Sequence, residues 1–310
     1  MKIAAIVNPV SGGGRGAKCG RMIKESDRGI DVFETTLLQT AADLAWMALA
    51  RGYQMVVAVG GDGTVSEIAG VLAGKKIPLA VIPSGTGNDF SKGLGIPQKP
   101  RAALETAFSG KKTKIDLGTI NGRIFVNAAS FGLDAKLTGH VPRLKNRLLS
   151  GKFLYLIAFF KEMRQPLEYP EVNARFPGGE IISRYTTILV AANGPQYGAV
   201  FKIAPGASFT DGFLDLCWIG KMKKRRIIAN LPKVLNGSHL ELPETGLFIT
   251  RAVSLRSEIK LYCQADGEIL ESGKEYEISC LPKALEVIVP GERERQFAKV
   301  KTALKLQPAK

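Results

Sequence analysis

Short apolar, β-branched runs alternate with helix-spaced segments through the first third of the chain. Lys2–Val7, Asp31–Leu38, Met55–Val59 and Leu79–Ile82 are nearly continuously apolar at their centres, the texture of parallel strands covered on both faces. Between them, Ala41, Leu44, Ala45, Ala48 and Leu49 recur at helical spacing behind Thr40, a residue type that caps helix N-termini. Strands alternating with helices predict a doubly wound, parallel α/β domain.

The pattern changes after Asp116. Asn121-Gly122 separates Lys114–Ile120 from Arg123–Ala128, a strong hairpin signal. Gly178-Gly179 plays the same part between Val172–Phe176 and Glu180–Ser183, and strand-like runs follow at Thr186–Ala192, Phe213–Ile219, Ala252–Tyr262 and Leu285–Val289. Two helical stretches, near 151–164 and 222–236, interrupt them. This region reads as a mainly antiparallel β-sandwich. The division expected is therefore 1–118 as an α/β domain and 119–290 as a β-rich domain. A helical tail over 291–310 follows, with Phe297, Val300 and Leu304 on one face, suited to packing on the first domain.

Composition narrows the class. The 310 residues carry 43 Lys and Arg against 28 Asp and Glu, a formal charge of +15, with 45% apolar residues. That is enough for a large core, and the charge calls for an anionic partner. Four scattered cysteines, with no Cys-x-x-Cys pair, exclude a zinc ribbon or disulfide scaffold and fit a reducing compartment. Two histidines leave little for a His-rich metal site. The longest apolar run, Phe153–Phe160, is far short of the roughly 20 residues of a membrane span. The expectation is a cytoplasmic protein whose anionic partner is nucleic acid, an anionic lipid surface or a phosphorylated small molecule.

Candidate chemistry sits where the first-domain strands end. Val7 runs into Asn8-Pro9-Val10-Ser11-Gly12-Gly13-Gly14, Val59 into Gly60-Gly61-Asp62-Gly63-Thr64, and Ile82 into Pro83-Ser84-Gly85-Thr86-Gly87-Asn88-Asp89. Ligands of open α/β sheets bind outside the carboxyl ends of the strands. There glycines admit close approach of a phosphate, and helix N-termini offer free N–H groups. Three such turns together favour a nucleotide site. Two standard templates fail: Gly16 is followed by Ala17-Lys18-Cys19 rather than the Walker Gly-Lys-Ser/Thr, and Gly12-x-Gly14-x-x-Ala17 is a poor dinucleotide fingerprint. Ser84 lacks the Gly-x-Ser-x-Gly elbow of serine hydrolases.

Gly60-Gly61-Asp62-Gly63-Thr64 resembles the nucleotide loop shared by diacylglycerol, sphingosine and NAD kinases and phosphofructokinases. Further segments narrow the resemblance to the diacylglycerol kinase catalytic-domain family, and within it to bacterial soluble lipid kinases, over about residues 1–290. They are Asn8-Pro9-x-Ser11-Gly12, Gly85-Thr86-Gly87-Asn88-Asp89-Phe90, Asn127-x-Ala129-x-Phe131-Gly132, Ala192-Asn193-Gly194, Pro205-x-Ala207, Asp211-Gly212-x-Leu214-Asp215 and Asp266-Gly267-Glu268.

The resemblance implies an NAD-kinase/phosphofructokinase-like two-domain fold with ATP in the interdomain cleft. It makes 1–118 the nucleotide-binding domain and 119–290 the lipid-substrate and metal domain, in a protein peripheral at the inner face of the membrane. By position it assigns Gly60, Gly61, Asp62, Gly63, Thr64, Ser66 and Glu67 to the ATP loop, with Thr86 and Asn88 beside it and Asn8, Ser11 and Gly12 as the facing wall. A threonine after the second strand, Thr36 or Thr40, joins them. Asp211, with carbonyls near Ser208 and Phe213, matches the family's Mg²⁺ position, and Asp266 and Glu268 match those from which its general base is drawn. The implied activity is transfer of the ATP γ-phosphoryl group to a lipid hydroxyl, diacylglycerol or a related lipid. Lys221–Arg226 and Arg143–Leu149 are the expected contacts with an anionic membrane, and Phe153–Phe160 an expected wall for acyl chains. An NAD kinase-like small-molecule kinase and a catalytically silent lipid- or nucleotide-binding regulator are the rival readings. Nucleic acid is not expected as a partner, and a homodimer remains open.

Overall fold

The computed structural model describes residues 1–140, 151–198 and 201–291. The expected tail helix and the basic segment Arg143–Leu149 lie outside the described residues, and side chains of the run Phe153–Phe160 are described from Leu156 onward. Two compact units divide the chain: Met1–Leu117 joined by the segment that starts at Pro282, and Gly118–Leu281.

In the first unit Ile3–Val7 (β1), Ile30–Glu34 (β2), Met55–Gly60 (β3) and Leu79–Pro83 (β4) form a parallel sheet in the order β2-β1-β3-β4. Every residue of β1, β3 and β4 is buried, which their unbroken apolar runs require. The edge strand β2 is only partly covered and stops at Glu34, short of the expected Leu38. The reason is a turn in which the Thr36 amide donates to the Gln39 carbonyl (3.0 Å). Ser11–Lys24 (α1), Ala41–Ala50 (α2), Asp62–Leu72 (α3), Asp89–Gly93 (α4) and Pro100–Ser109 (α5) complete the α/β pattern. Thr40 caps α2 as expected, in a reciprocal box with Asp43.

Lys111–Ile120 (β5) leads into the second unit and pairs with Arg123–Phe125 (β6) through the Asn121-Gly122 turn. Ala128–Gly132 (β7), Glu171–Arg175 (β8), Ile181–Ala192 (β9), Leu214–Gly220 (β10), Thr245–Thr250 (β11), Ala252–Ala265 (β12) and Glu268–Val289 (β13) follow, with Leu133–His140 (α6), Gly151–Glu162 (α7) and Lys224–Asn236 (α8). Strands β11, β10, β9, β7, β12 and β13 pair antiparallel in that order. One half of β9 and of β12 pairs with β7 and the other half with β8, so the sheet wraps a core. Period-two alternation decides which side chains enter it. Leu214, Leu216 and Trp218 of β10 point to this core, while Cys217 and Ile219 point to the opposite face, under α8. The expected short strand Leu285–Val289 is the end of the 22-residue β13, whose last residues return to the first unit and place Val287 beside Leu79 of β4.

Candidate active site

The three glycine-rich turns of the first unit converge. Asn8 Nδ2 donates to Thr64 Oγ1 (3.2 Å), the Ser11 and Ser84 hydroxyls lie 2.6 Å apart, and Arg15 donates through Nη2 to the Gly85 carbonyl (2.5 Å). The Ser84 amide donates to the Gly60 carbonyl (2.9 Å). Two glycines are steric necessities here. A Cβ on Gly85 would stand 2.4 Å from Gly61 Cα, and one on Gly12, where φ is +57°, would stand 2.0 Å from the Ser84 carbonyl oxygen. Gly12, Gly13 and Gly14 all have positive φ and break the first turn of α1, leaving that stretch of backbone free to follow a ligand. The first amides of α3, beginning at Asp62, have no partner within the helix and stand at the end of β3, a ready phosphate site.

Several residues assigned to the nucleotide by resemblance are held by the protein itself. One Asp62 carboxylate oxygen accepts from the Phe90 amide (3.0 Å). Glu67 Oε2 accepts from the amides of Ala41 (3.0 Å) and Ala42 (3.3 Å) and so serves the N-terminus of α2. The Thr40 hydroxyl both donates to Asp43 and accepts from its amide. Thr36 Oγ1 accepts from the Leu38 amide (3.2 Å) on an exposed loop. Asn88 has φ +54° and donates through Nδ2 to the Gly85 carbonyl (3.2 Å). Thr64 is buried, Thr86 exposed and Ser66 half-buried. Arg15, Ser84 and Gly85 were not among the expected site residues. Their signal was adjacency to the glycine runs, which says nothing of which loop each one ties.

In the second unit Asp266 and Gly267 form the tight turn between β12 and β13, with φ +48° and +87°. The Asp266 carboxylate accepts from the amides of Val126 (2.6 Å), Asn127 (2.8 Å) and Ala128 (3.2 Å). Asn193 is buried, and its Nδ2 donates to the Val126 carbonyl (2.8 Å). Glu268, on the same turn, projects outward and pairs with Arg123, both side chains about half exposed or more. Behind the turn lies a buried relay: the Gly267 amide donates to Gln264 Oε1 (2.7 Å), Gln264 Nε2 donates to Ser130 Oγ (2.7 Å), and Ser130 donates to Asp134. Arg123, Ser130, Asp134 and Gln264 were not predicted, because pairing between distant strands alone brings them to the turn.

Asp211 lies in the loop before β10 and accepts from the Phe213 amide (3.1 Å), and the buried Ser208 hydroxyl lies 3.3 Å from that of Thr210. No group of three or more His, Cys, Asp or Glu gathers among the described residues. A single carboxylate in an oxygen-rich loop does not make a dedicated cage, but it fits Mg²⁺, which keeps waters and is commonly held by one or two carboxylates plus substrate phosphates.

Comparison with known proteins places these features in a class. Residues 2–120 match the diacylglycerol kinase catalytic domain, and residues 127–289 match the YegS C-terminal NAD kinase beta sandwich-like domain. The chain therefore belongs to the diacylglycerol kinase catalytic-domain family, a class of lipid kinases. A diacylglycerol kinase of Mycobacterium tuberculosis is 34% identical over 304 residues, covering 93% of this chain and 95% of that protein. One of Bacillus subtilis is 31% identical, covering 85% and 86%. The fold matches a crystal structure of a diacylglycerol kinase from Bacillus anthracis at a TM-score of 0.70 and 20% identity, over 93% of this chain and 96% of that one. An NAD kinase of Archaeoglobus fulgidus solved with ATP is more distant, at TM-score 0.51 and 15% identity over 97% and 99%.

Proposed function

We propose that this protein transfers the γ-phosphoryl group of ATP, with Mg²⁺, to the hydroxyl of a lipid at an anionic membrane surface. The observation that carries the lipid half of this reading is a cavity of about 390 Å³ in the second unit, walled by α6, α7, α8 and strands β9 and β10. Its lining is mostly apolar, including Leu137, Phe159, Ile188, Ile219 and Leu231, and suits hydrocarbon better than a sugar or a nicotinamide. This favours a lipid acceptor over the NAD kinase-like alternative.

Phosphoryl transfer asks for alignment and charge neutralisation more than covalent help. Amides at the mouths of β1, β3 and β4 are the groups suited to hold the nucleotide phosphates, with Thr36 as the threonine whose hydroxyl is not committed to a helix cap. Asp211 is the carboxylate that would hold Mg²⁺, which supplies charge neutralisation on the transferring phosphate. Of the two candidate bases, Glu268 is the better. The Asp266 oxygens are occupied by three amides, whereas Glu268 has one exchangeable partner at the surface. Removing a positioned base costs roughly 10²–10⁴ in rate.

The membrane half rests on composition around the cavity. Leu156, Ile157 and Phe160 of α7 and Ile228 and Leu235 of α8 are exposed, next to Lys223, Lys224 and Arg225. Exposed apolar side chains on a helix that begins with cations suit the interface of an anionic bilayer, where each cation adds about 1 kcal/mol of attraction. Moving a 16-carbon chain fully into water would cost on the order of 13 kcal/mol, so working at the surface is the economical route. The test is incubation with γ-labelled ATP, Mg²⁺ and a total lipid extract, with NAD in a parallel reaction. Label in a lipid, lost on chelation and in Glu268→Gln, supports the reading. Label in NAD, or none in any lipid, overturns it.

A further inference from the structure

Three of the four most exposed large apolar side chains among the described residues leave from the carboxyl edge of the first sheet. Leu37 and Leu38 are 103% and 97% exposed, and Val10 is 79% exposed. In the register of β1 and β2, Val7 pairs with Glu34. Val10 and Leu37 each follow three residues later, so both stand beyond the same edge. The turn that carries the leucines is closed by its own hydrogen bonds. The Thr36 amide donates to the Gln39 carbonyl (3.0 Å), and the Leu38 amide donates to Thr36 Oγ1 (3.2 Å). The backbone is thus already ordered with two leucines in water. Moving them into an apolar medium removes that contact with water and leaves little backbone entropy to lose.

Charge beside this edge is mainly positive. Helix α1, which starts next to Val10, exposes Arg15, Lys18 and Arg21 at intervals of three, the spacing of neighbours along one side of a helix. No acidic residue occurs in 8–24 or in 35–42. The carboxylates that flank the turn are engaged, Glu34 with Lys24 (3.1 Å) and Asp43 with Thr40 (2.8 Å). An apolar tip backed by a row of cations matches an anionic bilayer, with hydrocarbon beneath and phosphates at the headgroup level. We infer that the Leu37-Leu38 turn, together with Val10, inserts into an anionic membrane while the α1 cations meet its headgroups. This membrane contact belongs to the first unit and is separate from α7 and α8. It rests on the lipid-kinase reading above, in which this same edge carries the nucleotide phosphates and has to approach an acceptor hydroxyl held at the bilayer surface.

The test uses vesicles of equal parts phosphatidylcholine and phosphatidylglycerol. Joint replacement Leu37→Ser and Leu38→Ser should weaken vesicle binding at least tenfold, with the melting curve unchanged because neither side chain packs on the core. A fluorescent reporter reads insertion directly. The chain has two tryptophans, Trp218 fully buried and Trp46 exposed. In a Trp46→Phe background, Leu37→Trp should shift its emission to the blue on these vesicles. Lipids brominated in the upper acyl chain should quench it. Emission that stays at the position of a water-exposed indole, or a folded double-serine protein that binds vesicles like wild type, would overturn the inference. So would sedimentation showing that the two serines dissolve a dimer while vesicle binding is untouched, since the edge would then be a surface between copies of the chain. The labelled-ATP assay keeps the two readings apart. Label entering lipid while the leucines stay in water sinks only the insertion, and insertion with no phosphorylated lipid sinks only the kinase.

Discussion

Replacing Asp266 by Asn separates the two acidic residues of the β12–β13 turn by their physics. Asparagine adopts the left-handed conformation at this position as readily as aspartate, so the backbone turn is preserved and only the charge changes. The amide oxygen can still accept from Asn127 and Ala128. The new NH₂ group then faces the Val126 amide, donor against donor, where the carboxylate oxygen now sits at 2.6 Å. Hydrogen bonds to a charged group are worth about 1.5–3 kcal/mol, and an unsatisfied donor adds to the loss. The expected destabilisation is about 3 kcal/mol, or a fall in Tm of about 6–12 °C for a domain of this size.

Glu268→Gln disturbs only a surface pair with side chains 64% and 49% exposed. It should cost less than about 1 kcal/mol while lowering turnover by about 10²–10⁴. Thermal melts and initial-rate kinetics on both variants, assayed at a temperature where both are folded, make the comparison. If Asp266→Asn melted within 2 °C of wild type and lost as much turnover as Glu268→Gln, Asp266 would be the base and the reasoning from its three amides would be wrong.

Gly85→Ala puts a Cβ 2.4 Å from Gly61 Cα; forcing these loops apart should cost about 1–3 kcal/mol and weaken ATP binding at least tenfold by calorimetry. Burial pushes the thiols of Cys217 and Cys263 up to about 12, so both should resist iodoacetamide at pH 8 in the native protein and react fully in denaturant, as mass spectrometry would record. Burial also lowers the pKa of His239 below its ordinary 6.5. Between that lowered value and 6.5 the unfolded chain binds more protons than the folded one, so stability rises with pH across the window and is lost on acidification. Urea melts from pH 5 to 8 should show this slope, and His239→Gln should flatten it.

The α/β half was the more legible part of the chain. Parallel strands buried on both faces must be continuously apolar, and β1, β3 and β4 announce themselves that way within about a residue at each end. The Thr40 cap and the Asn121-Gly122 turn were equally readable, because capping and tight turns are decided by residues a few positions apart. The long β13 was harder to see: its centre carries Glu and Lys on exposed positions, and only its apolar end, 285–289, looked like a strand. The motif residues marked where a site lies without dividing the labour inside it. Asp266 and Glu268 are two residues apart and chemically alike.

By itself, then, the amino-acid order determined the fold class, the family and the stretches of chain that carry the chemistry, since each depends on local spacing or a contiguous motif. Only the tertiary structure decided that Glu67 serves the start of α2, that three amides from around β7 occupy Asp266 while Glu268 faces out, and that the helices of the second unit line an apolar cavity. Those outcomes depend on which distant strands become neighbours, and hydrogen-bond satisfaction across such contacts has no signature in the spacing along the chain.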